Sequence, residues 1–179
     1  MKTTPKWILT ATLFSALSAQ AFELKSPDLQ GKALSAIPET HVFNSFGCTG
    51  QNLSPALEWK NAPKGTQSFA LTMYDPDAPT GSGWWHWIVV NLPKDTTKLA
   101  RGAALPAGAL QTKNDFGNAA YDGPCPPKGK PHRYVFTLYA LKVPKLDLDP
   151  NTASGAMAGY NILGNAIGKA QLNAKYQRR

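Results

Sequence analysis

Beyond its first residues, no stretch of this chain is apolar for long enough to cross a bilayer, which takes about 20 residues. No internal repeat, low-complexity tract or linker divides it. Neither His-x-His nor His-Glu-x-x-His occurs, so no local spacing announces a metal site. Gly81-Ser82-Gly83 is not the Gly-x-Ser-x-Gly elbow of a serine hydrolase. Cysteine is scarce, with Cys48 and Cys125 alone. Acidic residues are outnumbered, 11 against 19 basic ones, for a formal charge of +8. The basic residues are scattered except in the tail Lys175-Tyr176-Gln177-Arg178-Arg179. A scattered basic surface argues against a nucleic-acid partner. It still suits a small anionic ligand or transient contact with a membrane surface.

The start of the chain reads as a secretory signal. Lys2 and Lys6 form a basic region, Trp7 to Leu17 a short apolar run, and Ala19-Gln20-Ala21 a small-residue cleavage site. The expectation is a cleaved segment 1–21 and a single domain over 22–179, periplasmic or secreted. Losing Lys2 and Lys6 lowers the formal charge from +8 to +6. Export implies an oxidising compartment. Cys48 and Cys125 both sit in Gly/Pro-rich loops, so they are expected to form a disulfide.

Alternation in Ser68 to Tyr74 puts Phe69, Leu71 and Met73 on one face of a half-buried strand. Trp87 to Leu92, stopped by Pro93, and Tyr134 to Leu141 read as buried strands. His41-Val42-Phe43 and Leu57-Glu58-Trp59 are shorter candidates. Fifteen prolines and fifteen glycines punctuate these runs with turns. Near the end, Ala156, Tyr160, Leu163, Ile167 and Ala170 recur at helical spacing, which predicts a helix over 153–170 capped by Asn151 or Thr152. Gln171 to Tyr176 then alternates as a last strand. The fold class is mainly β, a sandwich of antiparallel sheets with one or two peripheral helices near the C-terminus.

The densest chemistry lies in Asp75-Pro76-Asp77-Ala78-Pro79, followed by Trp84-Trp85-His86-Trp87-Ile88-Val89-Val90-Asn91. Prolines and glycines fix the turn and a strand anchors it, the usual way to build a binding site. These residues resemble the first signature of the phosphatidylethanolamine-binding protein family. Gly129-Lys130-Pro131-His132-Arg133-Tyr134-Val135-Phe136 resembles its second signature. Asn52-Leu53-Ser54-Pro55-Ala56-Leu57-Glu58-Trp59 resembles a segment of its bacterial, Raf-kinase-inhibitor-like branch (YbhB/YbcL). The blocks stand in family order and cover nearly all of 22–176. The resemblance implies two antiparallel sheets with a small ligand cavity at one end.

By its residues alone, Asp75 reads as a turn opener; the resemblance places it in the cavity. Asp77 reads as structural, bonding backbone within the same turn. His86 reads either as a core histidine or, by resemblance, as the pocket histidine. Alternation puts it opposite both flanking tryptophans. Many eukaryotic relatives have two adjacent histidines where this chain has Trp85-His86, so their head-group specificity is not expected to carry over. Alternation also puts His132 and Tyr134 on one face, with Arg133 opposite. Pro126 and Gly129 shape the preceding loop by resemblance. Trp84 is either core or one wall of an aromatic cage.

The expected function is a non-enzymatic exported binding protein. Asp75, His86, His132 and Tyr134, with Trp84, Pro126 and Gly129 around them, would hold a phosphate monoester or phospholipid head group. Both histidines are expected to carry the attraction, and no cofactor or metal is called for. Asp75, His86 and His132 as a metal set is the rival reading. Two other functions stand as alternatives: a protein-interaction module that inhibits an enzyme, and a hydrolase or lyase using an Asp–His pair.

Overall fold

The structure, a computed structural model, describes residues 20–29 and 35–179. The signal-peptide reading lies almost wholly outside them. In chain order the elements are β1 (Glu23–Lys25), β2 (Ser35–Ala36), β3 (Leu57–Lys60), β4 (Ser68–Asp75), β5 (Trp84–Pro93), β6 (Lys98–Leu99), β7 (Leu110–Gln111), β8 (His132–Leu141), α1 (Gly155–Asn165) and β9 (Ala166–Tyr176). β1, β3 and β6 make a small antiparallel sheet. The rest form a larger sheet in the order β2-β9-β8-β4-β5-β7, antiparallel apart from the short β2–β9 pair. This is the expected mainly β fold with two sheets and a helix near the C-terminus.

The large sheet is covered on both faces. Leu57, Trp59, Phe69, Leu71, Met73 and Phe136 pack between the two sheets. Ala70, Ile88, Val90, Leu141, Ala158 and Ile162 pack between the large sheet and α1. β4 is therefore buried on both sides, not half-buried as its alternation suggests. Each large apolar side chain buried there contributes about 1.5–3 kcal/mol. Pro93 ends β5 as expected.

Two elements differ from the sequence reading. His41-Val42-Phe43 forms no strand; Glu39–His41 is a single 3-10 turn. Phe43 donates one backbone bond to Pro124 O. Pro124 has no N–H to return, so the pairing stops there. The helix is shorter than expected and turned. Ser154 caps it, accepting from Met157 N at 3.2 Å. Asn151 and Thr152 instead bond Asp149. Residues 166–170 leave the helix to pair with Leu138 to Leu141, completing the hydrogen-bond ladder of β8.

The buried helical face is Gly155, Ala158 and Ile162, whereas Tyr160 and Leu163 are exposed. The cause is Trp85, which lies under the helix. A Cβ on Gly155 would come within 2.4 Å of its ring. Gly155 thus sets how closely α1 approaches the sheet.

Two ion pairs tie loops to this frame. The Arg133 guanidinium and backbone N–H hold the Asp77 carboxylate, whose pKa falls from 3.8 to about 2. The Arg101 guanidinium, with the Ala56 backbone N–H, likewise holds Asp28 down to about 2. Both carboxyls bind protons less readily folded than unfolded. Their contribution is complete above the unfolded value and is lost as pH falls through about 4 to about 2. Urea midpoints should drop over that window, and Asp77→Asn should flatten the drop. Identical acid slopes for variant and wild type would show that the pair carries no such linkage.

Candidate functional site

β4 runs antiparallel to both β5 and β8, so its C-terminal end lies beside their N-terminal ends. Asp75, Trp84 to His86 and His132 to Tyr134 occupy those three ends. They meet at a cavity of about 330 Å³, lined by Asp75, Trp84, His86, Pro126, His132 and Tyr134 among others. Two segments separated by more than forty residues are brought together by strand pairing alone.

A β-bulge aims His86. Met73 pairs with Trp87 and Tyr74 with Trp85, leaving His86 as the extra residue on β5. Regular alternation would put His86 opposite both tryptophans. The bulge resets the pleat, a common device beside binding sites. Trp85 turns to the helix side against Tyr74. Trp87 enters the layer between the sheets, where it meets Tyr121. His86 joins that side and lies edge-on to Tyr134, centroids 5.2 Å apart. Gly83, at φ 66°, closes the preceding turn; a Cβ there would meet the Tyr74 hydroxyl at 2.2 Å.

The polar groups divide into paired and unpaired. Asp75 is 2 % exposed. One of its oxygens accepts from Asp77 N at 2.8 Å, and the other from His132 Nδ1 at 2.7 Å. Asp75 is therefore both turn opener and orienter of His132. Asp77 bonds Arg133 rather than its own turn. His86 Nδ1 lies 2.7 Å from Asp122 O. A carbonyl only accepts, so Nδ1 carries the hydrogen. Burial, the largest influence, pushes the His86 pKa down and keeps the ring neutral. The expectation that both histidines carry the attraction for an anion is corrected at this residue, because a neutral ring brings no charge. The Tyr134 hydroxyl and Trp84 Nε1 are buried and lack partners. Burial pushes the Tyr134 phenol up, so it remains an O–H donor. Among the described residues, no group of three or more His, Cys, Asp or Glu is arranged to hold a metal ion.

The apolar wall is Phe116, which touches Trp84 at 5.4 Å, His86 at 5.3 Å and Phe46 at 5.7 Å between ring centroids. Phe46 stands at the mouth, 69 % exposed. Arg178 holds its loop by donating to Phe46 O and to Gly47 O at 2.8 Å. The Cys48–Cys125 disulfide holds the same loop, with Cα atoms 6.0 Å apart. Gly129 does not line the cavity. It shapes the loop from outside at φ 128°, where its carbonyl accepts from Gln177.

Five residues at the site escaped the sequence reading, the wall residue Phe116 among them. Asn114 donates to His86 O, Ala120 O and Asp122 Oδ2, and accepts from Phe116 N and Asn118 N. It thus fixes both the wall and the back of His86. Its setting, Asn114-Asp115-Phe116-Gly117-Asn118, has ordinary turn composition. Asp122 belongs to the same network, tied to Asn52 at 3.3 Å. Phe46 and Arg178 lay in a loop and a basic tail with nothing to mark them.

A cavity at one end of two antiparallel sheets, built from both signature blocks, defines a ligand-binding fold of known type. The profile described as phosphatidylethanolamine-binding protein matches residues 32–177, and the chain belongs to that family. It is similar to the YbhB protein of Escherichia coli K12, 52% identical over 145 residues, covering 78% of this chain and 91% of that one. It is also similar to YbcL of the same strain, 47% identical over 177 residues, covering 95% and 96%. The crystal structure of YbcL, described as a new member of the mammalian PEBP family, superposes with a TM-score of 0.84 over 88% of this chain and 99% of that chain. The Mycobacterium tuberculosis protein named as lipoprotein LppC is 40% identical over 133 residues, covering 74% and 64%.

Proposed function

We propose that this chain is an exported, non-catalytic binding protein whose cavity holds a small phosphate-bearing anion. The observation that carries the reading is the Tyr134 hydroxyl. It is fully buried, has no protein partner and borders the cavity. An unmet buried donor costs about 1–3 kcal/mol, a cost that an anionic ligand would remove. Trp84 Nε1 repeats the pattern, and the Arg178 side chain adds positive charge to the lining. The nucleophiles that line the cavity are engaged elsewhere. Thr80 donates to Gly83 O, and Cys125 is in the disulfide. Export is supported by that disulfide and by kinship with a protein named as a lipoprotein.

The test is titration of phosphoethanolamine into wild type and His132→Ala. Losing the imidazole oriented by Asp75 should weaken binding by about 1.5–3 kcal/mol, the range for a hydrogen bond to a charged group. The fold should survive, because His132 is at a strand end and outside both core layers. Equal affinities would mean that the ligand binds elsewhere.

A further inference from the structure

The hydrogen bonds behind His86 decide what it offers in front. Nδ1 faces Asp122 O, and the ring is 3 % exposed. The carbonyl belongs to a loop locked by Asn114 and Asn118, which both donate to the Asp122 carboxylate at 2.8 Å. The ring cannot swing to present Nδ1 without leaving that carbonyl bare. In this tautomer Nε2 is a lone pair, an acceptor. Among the described residues no protein donor reaches it. The groups facing His86 are Asp75 from β4, Asp122 behind it, and His132 and Tyr134 from β8. Arg178 lies across the cavity, beyond β9. The cavity therefore sets the unmet donors Tyr134 O–H and Trp84 N–H against the unmet Nε2 acceptor of His86, while His132, its Nδ1 held by Asp75, brings its own Nε2 to the same cavity. A fully ionised oxyanion satisfies only the donors and sets an anionic oxygen against the lone pair. An oxyanion that retains one proton satisfies both.

We propose that the pocket recognises a phosphomonoester as its monoanion, with the P–OH donating to His86 Nε2 and the anionic oxygens accepting from Tyr134 and Trp84. This rests on the anion-pocket reading above and narrows it. A site built to bond a hydroxyl rejects analogues that lack it, because its own buried group is left unpaired. The rule separates two sources of phosphate. A free phosphomonoester carries the proton, whereas the phosphodiester of a lipid head group has none on phosphorus.

The discriminating pair is methyl phosphate and methyl sulfate. They have similar shape and, below the second phosphate pKa of about 6, the same charge. Calorimetric titration of wild type at about pH 5.5 should show methyl phosphate binding about tenfold or more tightly than methyl sulfate. At about pH 8, where methyl phosphate is a dianion, that preference should vanish. Glycerophosphoethanolamine, a diester, should bind more weakly than phosphoethanolamine at the lower pH by a similar factor.

Equal binding of phosphate and sulfate at the lower pH, with both weakening together as pH rises, would mean that a pocket histidine and not the ligand carries the proton, and overturns the proposal while leaving an anion pocket intact. Parity of diester and monoester overturns it as well. Failure of both methyl ligands to bind overturns the anion pocket itself. His86→Gln gives an independent arm, in which the phosphate-to-sulfate ratio should fall towards one. If that variant does not fold, the wild-type ligand pair still decides.

Discussion

Replacing Cys48 and Cys125 together by alanine is expected to lower the unfolding free energy by about 4.5 kcal/mol, the chain-entropy value for a bridge spanning 77 residues. The size follows from the loop, which takes in β3 to β7 and nearly all of the chain between the first signature and the second. Uncrosslinked, the denatured chain explores far more conformations, and the native state gains nothing in return. Alanine is the better replacement because Cys48 is 8 % exposed, and a serine hydroxyl there would add a separate desolvation cost. Urea unfolding without reductant measures the loss as a lower midpoint, with a larger slope because the unfolded state expands. The same variant should bind its ligand more weakly. Phe46 and its loop would then be held by Arg178, by the stacking of Phe46 on Phe116 and by local backbone bonds only. An unchanged midpoint would show that the two loops are ordered without the bridge.

The second large effect concerns Asn114. Asn114→Ala removes an amide that is 5 % exposed, whose two hydrogens are shared among three acceptors and whose oxygen accepts from two backbone N–H groups. It also leaves the buried Asp122 carboxylate short of a donor. Unmet buried groups cost about 1–3 kcal/mol each, more when charged, so a loss of about 3–5 kcal/mol is expected. Asn118→Ala, in an exposed residue of the same network, should cost less than half as much. The functional signature is distinct. Asn114 positions the Phe116 wall and bonds the His86 carbonyl, so ligand affinity should fall even at temperatures where the variant remains folded. Thermal melts with and without methyl phosphate separate the two losses. A variant that melts early yet binds normally would confine Asn114 to a structural role.

Much of this was legible in the sequence because it is local or periodic. β4, β5 and β8 follow from apolar runs of strand length and a terminating proline. The two signature blocks supplied Asp75, His86, His132 and Tyr134, which the pairing of three strands then gathered. What escaped depended on a partner far along the chain. Tyr160 and Leu163 have helical spacing, yet the helix turns them outward because Gly155 must rest on Trp85, and Ile167, expected on the same face, lies beyond the helix in β9. Residues 166–170 have no strong strand pattern, but β8 needs a neighbour and they supply one. Asn114 looked like a turn residue because its partners, the carbonyls of His86 and Ala120, carry no side-chain signal. The neutral state of His86 was hidden for the same reason, since a backbone oxygen sets its tautomer.

The bulge at His86 has a consequence for anyone who would move this site to another scaffold. The histidine is placed by a count. β5 carries one residue more than β4 between two fixed pairs, Met73 with Trp87 and Tyr74 with Trp85. Substitution can change what sits at that position but cannot create the position. A host hairpin of equal strand lengths, given every side chain of the motif, would turn its histidine to the wrong face. Conversely, deleting His86 would let the strands re-pair evenly, with Trp85 still opposite Tyr74 and Trp87 still opposite Met73, and the position itself would be gone. The transferable unit is thus a pair of strands of unequal length, and the insertion has to be grafted before any side chain is.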